Sequence, residues 1–458
     1  MNINIKIPQD VEEIMGLLEE NGYDAYIVGG CVRDSVLGRK PHDWDICTSA
    51  TPDEVIRVFS EYKVIETGIK HGTVTIVMNG WKDDIRESYE VTTFRKDGEY
   101  SDNRRPDEVS FTESIIEDLS RRDFTINAIA YSHITGIIDP FDGMGDIEKK
   151  LIRCVGVPEE RFEEDGLRIL RAMRFSIQLD FSIWYFTFTA MIRKNYLLKN
   201  ISKERISSEL VKMIVSENFT HRVIYSLLID IIPELEECHG FDQNNKYHDY
   251  DVYTHIMKAV DNYKGEDKIV KLSLLLHDIG KPKCYSEDEN GGHFYEHGVV
   301  GSDMAQEILQ RLKFDGYTVK SVTELVLYHD GTIHDTPKSV KKWLNKIGEV
   351  QLRRLITIRI ADILAHSELG RDSRVEKQER IFDILDKVII ENQAFSIADL
   401  DINGKDLIGL GIEEGENIGN MLRYLLEKVI SDEVENEKTC LLKIAEETRR
   451  EINEMLLP

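Results

Sequence analysis

The chain lacks several things. No stretch approaches the roughly 18 apolar residues of a membrane-spanning helix, so no transmembrane helix is expected. The N-terminus, MNINIKIPQD, has no apolar core and so no secretory signal is expected. Six cysteines, at 31, 47, 154, 238, 284 and 440, are scattered without paired spacing. They read as free thiols of a reducing, cytoplasmic setting rather than a disulfide frame. There is no low-complexity tract and no internal repeat. Positive charge is also short: the net charge is −26. That argues against non-specific nucleic-acid binding. No feature points to a stable protein partner.

What is present is length and pattern. The chain has 458 residues, 41% hydrophobic and 31% charged, enough for about three or four compact units. Residues 1–150 mix both periodicities. Val11–Glu20 reads as an amphipathic helix, and Tyr26–Val28, Gly72–Met78, Ser88–Phe94 and Ile126–Ser132 read as strands. From Glu160 onward long helical periodicities dominate, and a Gly-rich turn region at 403–419 precedes a last pair of helices. Ser286–Gly292, polar throughout, reads as an internal loop. The fold class expected is α+β, a sheet-bearing head followed by a mostly helical remainder.

Residues 29–45, Gly-Gly-Cys-Val-Arg-Asp-Ser-Val-Leu-Gly-Arg-Lys-Pro-His-Asp-Trp-Asp, carry the strongest chemical signal. The apolar run Tyr26-Ile27-Val28 stops at Gly29-Gly30, and glycines let a backbone turn tightly and approach a triphosphate. Arg33 follows at a helix start, where it can pair with phosphate oxygens. Asp43 and Asp45 are two apart, a spacing that on a strand puts both on one face to hold divalent metal. A lone Gly-Gly is ordinarily a turn and a lone Asp-x-Asp ordinarily a solvated loop. In this order, with the arginine between them, they are far more specific.

This pattern resembles the class II tRNA nucleotidyltransferases and bacterial poly(A) polymerases of the polymerase-beta-like superfamily. Further segments carry the resemblance. Ser88–Arg95 runs into the polar loop Lys96–Pro106, similar to the flexible loop of family members that add adenosine. Arg121-Arg122-Asp123-Phe124-Thr125-Ile126-Asn127 resembles the second signature, with Arg122 on the triphosphate and Asp123 as a third acid beside the metals; Glu90 is the competing candidate. Glu164-Asp165-Gly166-Leu167-Arg168 resembles the segment in which an Asp and an Arg read the incoming base. Asp accepts from an exocyclic amino group and Arg donates to the adjacent ring nitrogen, an edge that cytosine and adenine share. Uracil and guanine offer the reverse and would leave buried groups unpaired. Asp165 and Arg168 are three apart, one helical turn, and as a bare pair they could be an ordinary surface ion pair. Gly30 would line the nucleotide site, and Arg171 and Arg174 would contact phosphate or ribose. Ile201–Ile206 resembles a neck helix with a structural role near RNA.

A second constellation is His255, His277-Asp278 and Asp362, in the frames His248–His255 and Leu274–Pro282. It looks like an HD-domain phosphohydrolase. Imidazoles and carboxylates from separate helices suit Ni²⁺, Mn²⁺ or Fe²⁺, and Mg²⁺ less well. His297 and His329 are further candidate ligands. Some family members with this domain hydrolyse 2′,3′-cyclic phosphates or phosphomonoesters, and in others it is a scaffold. Asp401–Gly419 resembles the family's tRNA-facing tail, departing from it at Glu416, where proline is common.

The resemblance implies a polymerase-beta-like head (1–150), a helical neck (151–240), an HD body (241–370) and a tRNA-facing tail (371–458). Its activity would be template-independent addition of CCA to a tRNA 3′ end from CTP and ATP, releasing pyrophosphate, by two-metal nucleotidyl transfer with two Mg²⁺ ions held by Asp43 and Asp45. Residues 151–230 hold twelve Lys/Arg against ten Asp/Glu, so the acidity lies elsewhere. Faces such as Arg193-Lys194 and Lys199, with Mg²⁺, would guide RNA weakly and in a salt-sensitive way. Two readings compete within the class: an A-adding enzyme and a poly(A) polymerase, the latter disfavoured by the lack of a basic tail. Others outside it are a metal-dependent phosphohydrolase whose head only binds nucleotide, and a non-catalytic RNA-binding module.

Overall fold

The computed structural model describes residues 5–79, 86–98, 108–289, 291–391 and 393–455. The chain divides into two compact units, residues 1–233 and 234–458.

The first unit is built on a seven-stranded sheet. Its strands are β1 (Ala25–Val28), β2 (Ile46–Thr48), β3 (Lys63–Ile65), β4 (Thr73–Asn79) and β5 (Arg86–Thr93). A separate hairpin pairs β6 (Arg95–Asp97) with β7 (Val109–Phe111), and β8 (Ala130–Ser132) and β9 (Gly136–Ile138) complete the sheet. Its order is β3-β4-β5-β2-β1-β8-β9, with β2 and β5 parallel and the other pairs antiparallel. All four residues of β1 are buried, as a central strand covered on both faces requires. The helix Gln9–Glu20 turns Val11, Ile14, Met15 and Leu18 inward at the spacing of one helical face.

The sequence reading differs from the structure at one informative strand. Ile126–Ser132 reads as one strand, but Thr125–Asn127 form a 3₁₀ turn and only Ala130–Ser132 pair into the sheet. The side chain of Asn127 is engaged there by Arg33 and Asp123. After β9, the helix Leu167–Leu179 packs against the helix Lys203–Ile214.

The second unit is helical. Lys268–Leu276 is buried almost all round, the mark of a core helix, and it presents His277 at its C-terminal end. The helices Val252–Asn262, Gly316–Tyr328 and Pro337–Ala365 pack on it, and His297–Arg311 packs on Gly316–Tyr328; Pro337–Ala365 is broken at Gly348, whose φ is 78°. Ser286–Gly292 is not a plain loop: Ser286–Asp288 pairs antiparallel with Gly291–His293. The helices Gly404–Gly409, Glu416–Ile430 and Lys438–Met455 close their own core around Leu407, Leu425 and Leu441.

Candidate functional site

The end of β1 is where the chemistry gathers. Gly29 has φ 78° and ψ −125°, a region that side-chain-bearing residues avoid. A Cβ there would also sit 3.1 Å from Arg122 Nη1. The backbone therefore demands glycine, and a Cβ would also crowd the guanidinium above it. Gly30 opens the short helix Gly30–Val36, which carries Arg33. Arg33 is buried; Nε and Nη2 donate to the Asp34 carboxylate at 2.9 Å each, and Nη1 donates to Asn127 Oδ1 at 2.6 Å.

Asp43 and Asp45 are not inside a strand, as alternation suggests. They lie in the segment leading into β2, where the Val28 N–H donates to the Asp45 carbonyl at 3.0 Å. Desolvation and the neighbouring Asp43 raise the pKa of Asp45, while Arg122 opposes the rise. A like-charged carboxylate pair is a donor set that a divalent cation relieves, so these residues fit such an ion. Ile46 pairs with Val91 across the parallel β2–β5 ladder, which sets Glu90 in the strand beside Asp45.

Asp118 anchors the arginines. It is fully buried; its Oδ1 accepts from Arg121 Nη2 at 2.7 Å and Nε at 3.0 Å, and its Oδ2 accepts from Arg122 Nη2 at 3.3 Å. Burial alone would raise its pKa; Arg122 and Arg121 bring it below the ordinary carboxylate value.

Asp123 serves arginines too. Its Oδ2 accepts from Arg171 Nε at 2.8 Å, and its Oδ1 accepts from the Phe124 N–H at 2.8 Å and Asn127 Nδ2 at 3.1 Å. Against desolvation, Arg171 and Arg168 bring its pKa down to about 2. Arg33, Arg171 and Arg174 all lie over the Phe175 ring, at 5.0, 5.4 and 4.3 Å. Arg174 Nε also pairs with Glu209 at 2.6 Å.

Asp165 and Arg168 are not two positions on one helix. Asp165 is extended, with φ −141° and ψ 104°, in the break between the helices Pro158–Glu164 and Leu167–Leu179. It pairs with Arg205, while Arg168 Nη2 donates to the Arg121 carbonyl at 3.0 Å and Nη1 pairs with Glu164. Of the basic neck residues, Lys194 pairs with Glu163. Lys96 and Asp97 belong to the β6–β7 hairpin, but residues 99–106 of the expected polar loop lie outside the described residues.

The second cluster is complete in the other unit. His255 Nε2 lies 2.8 Å from Asp362 Oδ1 and 3.3 Å from Asp278 Oδ2; His277 Nε2 lies 3.2 Å from Asp278 Oδ2 and 3.5 Å from Asp362 Oδ1. On the far side of the same carboxylate, His297 and His329 Nε2 each lie 3.5 Å from Asp278 Oδ1 and 3.1 Å from one another. Asp278 thus faces two imidazole pairs with its two oxygens.

Backbone carbonyls three residues upstream, of Leu274, Phe294 and Val326, lie 2.7 to 2.8 Å from the Nδ1 atoms of His277, His297 and His329. Donation from Nδ1 fixes each ring with its Nε2 directed at Asp278. Burial would lower the pKa of His277, but Asp278 and Asp362 push it up to about 10. Lys281 Nζ pairs with Asp278 Oδ2 at 2.7 Å and donates to Gln243 Oε1 at 2.8 Å. A cavity of about 710 Å³ opens onto the cluster, lined among others by His248, Lys281, His366 and Arg374.

Sequence reasoning missed Asp118, Phe175, Arg205, Glu209 and Lys281. Asp118 precedes Arg121 and Arg122 by three and four residues, a helical spacing that could have flagged it. Nothing local connects Arg205 to Asp165, which is 40 positions away.

Residues 25–153 match the family model for the poly A polymerase head domain, and residues 180–237 match "Probable RNA and SrmB- binding site of polymerase A". Residues 298–445 match tRNA nucleotidyltransferase domain 2. The CCA-adding enzyme of Pediococcus pentosaceus is 34% identical over 97% of this chain and 100% of its own length. That of Lactobacillus delbrueckii subsp. bulgaricus is 35% identical over 96% and 98%. Among solved structures, the Bacillus stearothermophilus CCA-adding enzyme in complex with CTP superposes with a TM-score of 0.71 at 29% identity, covering 97% of this chain and 98% of that one. The Thermotoga maritima CCA-adding enzyme complexed with tRNA shares the fold, with a TM-score of 0.58 at 21% identity over 97% and 96%. With its glycine turn, its paired acids and full-length identity above 30%, the chain belongs to the family of CCA-adding enzymes.

Proposed function

We propose that this protein adds C, C and A in turn to the 3′ end of tRNA, using CTP and ATP and releasing pyrophosphate. The observation that carries the reading is the joining of three features around Arg122: the Gly29 turn, the Asp45 carboxylate and the buried Asp118 anchor. Arg122 and Arg33 bind the triphosphate by charge-assisted hydrogen bonds. Asp43 and Asp45 hold Mg²⁺, with Glu90 the better-placed third acid, because both oxygens of Asp123 are engaged elsewhere. A cation held there would lower the pKa of the tRNA 3′-hydroxyl and offset the charge that develops as pyrophosphate leaves the α-phosphate. Asp123 holds Arg171 in place. Asp165 and Arg168 read the amino-bearing edge shared by C and A, and Arg171 and Arg174 contact phosphate or ribose. The four segments 1–150, 151–240, 241–370 and 371–458 act as head, neck, HD body and tail. Replacing Asp43 or Asp45 by Ala should abolish CTP and ATP incorporation without unfolding the chain; near-normal incorporation by either variant would remove it from the metal site.

A second activity is proposed for the other unit: metal-dependent hydrolysis of a phosphoester. Its support is Asp278, whose two oxygens face His255 and His277 on one side and His297 and His329 on the other, a set of groups that, with Asp362, would hold divalent metal. The donor set, mostly imidazole, suits Mn²⁺, Fe²⁺ or Ni²⁺. Cations there would activate water and polarise the phosphoryl oxygens, while Lys281 holds Asp278 in place. Hydrolysis of a 2′,3′-cyclic nucleotide or a phosphomonoester, measured with each metal added to metal-free protein, tests it; no turnover with any of them would leave the cluster structural.

A further inference from the structure

The carboxylate proposed to read the base is gripped by a side chain 40 positions along the chain. Asp165 Oδ1 accepts from the Leu167 N–H at 3.0 Å and from Arg205 Nη1 at 3.3 Å, and Asp165 Oδ2 accepts from Arg205 Nη2 at 2.8 Å. Each carboxylate oxygen offers two acceptor directions. Three of the four are filled among the described residues, so one direction, on Oδ2, stays open. Arg205 stands in the first turn of the helix Lys203–Ile214, which packs on the helix that begins just after Asp165. Side-chain exposure at the pair is 16% for Asp165 and 25% for Arg205, so the grip is partly shielded from solvent.

We infer that Arg205 is the positioning residue that sets nucleotide selectivity, by fixing the plane of Asp165 and leaving a single aimed acceptor. This rests on the reading of Asp165 as the acceptor of the base amino group. With only the Leu167 N–H to hold it, the carboxylate can pivot about its Cβ–Cγ bond. A planar guanidinium fork fixes both oxygens at once, which an ammonium group cannot do. A fixed acceptor is satisfied by the amino group of C or A and faces the carbonyl of U or G with a lone pair against a lone pair. A pivoting one turns aside and admits water, and the rejection weakens. Among the described residues the side-chain contacts of Arg205 are to Asp165, not to Asp43 or Asp45, so its effect should fall on discrimination more than on the transfer step.

The test uses full-length protein and a tRNA primer, with kcat/KM measured for CTP, UTP, ATP and GTP. The variants are Arg205→Met, Arg205→Lys, Asp165→Ala and the Asp165→Ala/Arg205→Met double. Both Arg205 variants should lower the CTP-to-UTP and ATP-to-GTP ratios by about tenfold, a loss of one well-aimed base contact. The double variant should match Asp165→Ala, because Arg205 then has nothing to aim. Thermal unfolding identifies a variant that fails to fold, and the charge-preserving lysine variant carries the test if methionine does not fold. Wild-type ratios in both Arg205 variants, beside lowered ratios in Asp165→Ala, would overturn the clamp and leave the base reading standing. Unchanged ratios in Asp165→Ala would overturn the base reading and the clamp together.

Discussion

Asp118 offers a prediction whose size can be worked from the structure. The residue is fully buried and pairs with both Arg121 and Arg122, whose side chains are themselves only 17% and 20% exposed. Asp118→Asn keeps the shape and removes the charge, leaving two partly buried guanidinium groups facing an amide. Breaking a buried pair from one side costs about 3–5 kcal/mol, because the stranded charge is the penalty. Urea unfolding of the variant at neutral pH should show a loss of that order.

The pH dependence has a fixed sign. The pKa of Asp118 is depressed in the folded protein, so its contribution is fully present above the unfolded value of about 3.9 and is lost as pH falls through the folded value. The stability gap between wild type and variant should be flat from neutral pH to about 5 and shrink below about 4. Arg122 also loses its anchor, so KM should rise for all four nucleotides together, a phosphate contact carrying no base information. A variant within about 0.5 kcal/mol of wild type, or a gap that widens on acidification, would refute the assignment of Asp118 as the arginine anchor.

Other predictions extend the same logic. Gly29→Ala should cost about 1–3 kcal/mol through its forbidden backbone region and push Arg122 from its place, raising KM for every nucleotide; unchanged unfolding and KM would mean the turn tolerates a Cβ. Arg168→Ala should lose discrimination against UTP and GTP by about 1–3 kcal/mol, whereas Arg122→Ala should weaken all four nucleotides alike; equal losses in both would make Arg168 a structural partner of Glu164. His277→Ala and His329→Ala should lose Mn²⁺ binding and hydrolysis but keep nucleotide addition, since their cluster lies in the second unit; loss of addition as well would deny that the two sites are separable.

Much of the head was legible because its signals are local. The Gly29-Gly30 turn after an apolar run, the paired acids at 43 and 45 and the arginine run at 121–122 are each a few residues long, and the structure sets the turn, Asp45 and Arg122 together. The His-Asp cluster was legible for a different reason: five helices each place a ligand at or near an end, and residue types so rarely buried stand out even when scattered. What stayed hidden was the layer that orients these groups. Phe175, under three arginines, looks in sequence like any core aromatic of its helix. Arg205 reaches Asp165 only because two helices pack; helical spacing offered an ion pair between Asp165 and Arg168, whereas Asp165 pairs with Arg205 and Arg168 with Glu164. The helix breaks at Asp165 because its own carboxylate takes the Leu167 N–H, a local competition with helix that Asp side chains favour.

The most direct measurement is product length on three tRNAs, ending at the discriminator base, at C and at CC, each incubated with purified protein, Mg²⁺ and labelled CTP, ATP or both. The account predicts that CTP alone extends the first by two nucleotides and the second by one, that ATP alone extends only the third, and that the mixture brings all three to CCA and stops. Addition of A alone, with no incorporation of CTP on any end, or an unlimited A tail, would contradict it.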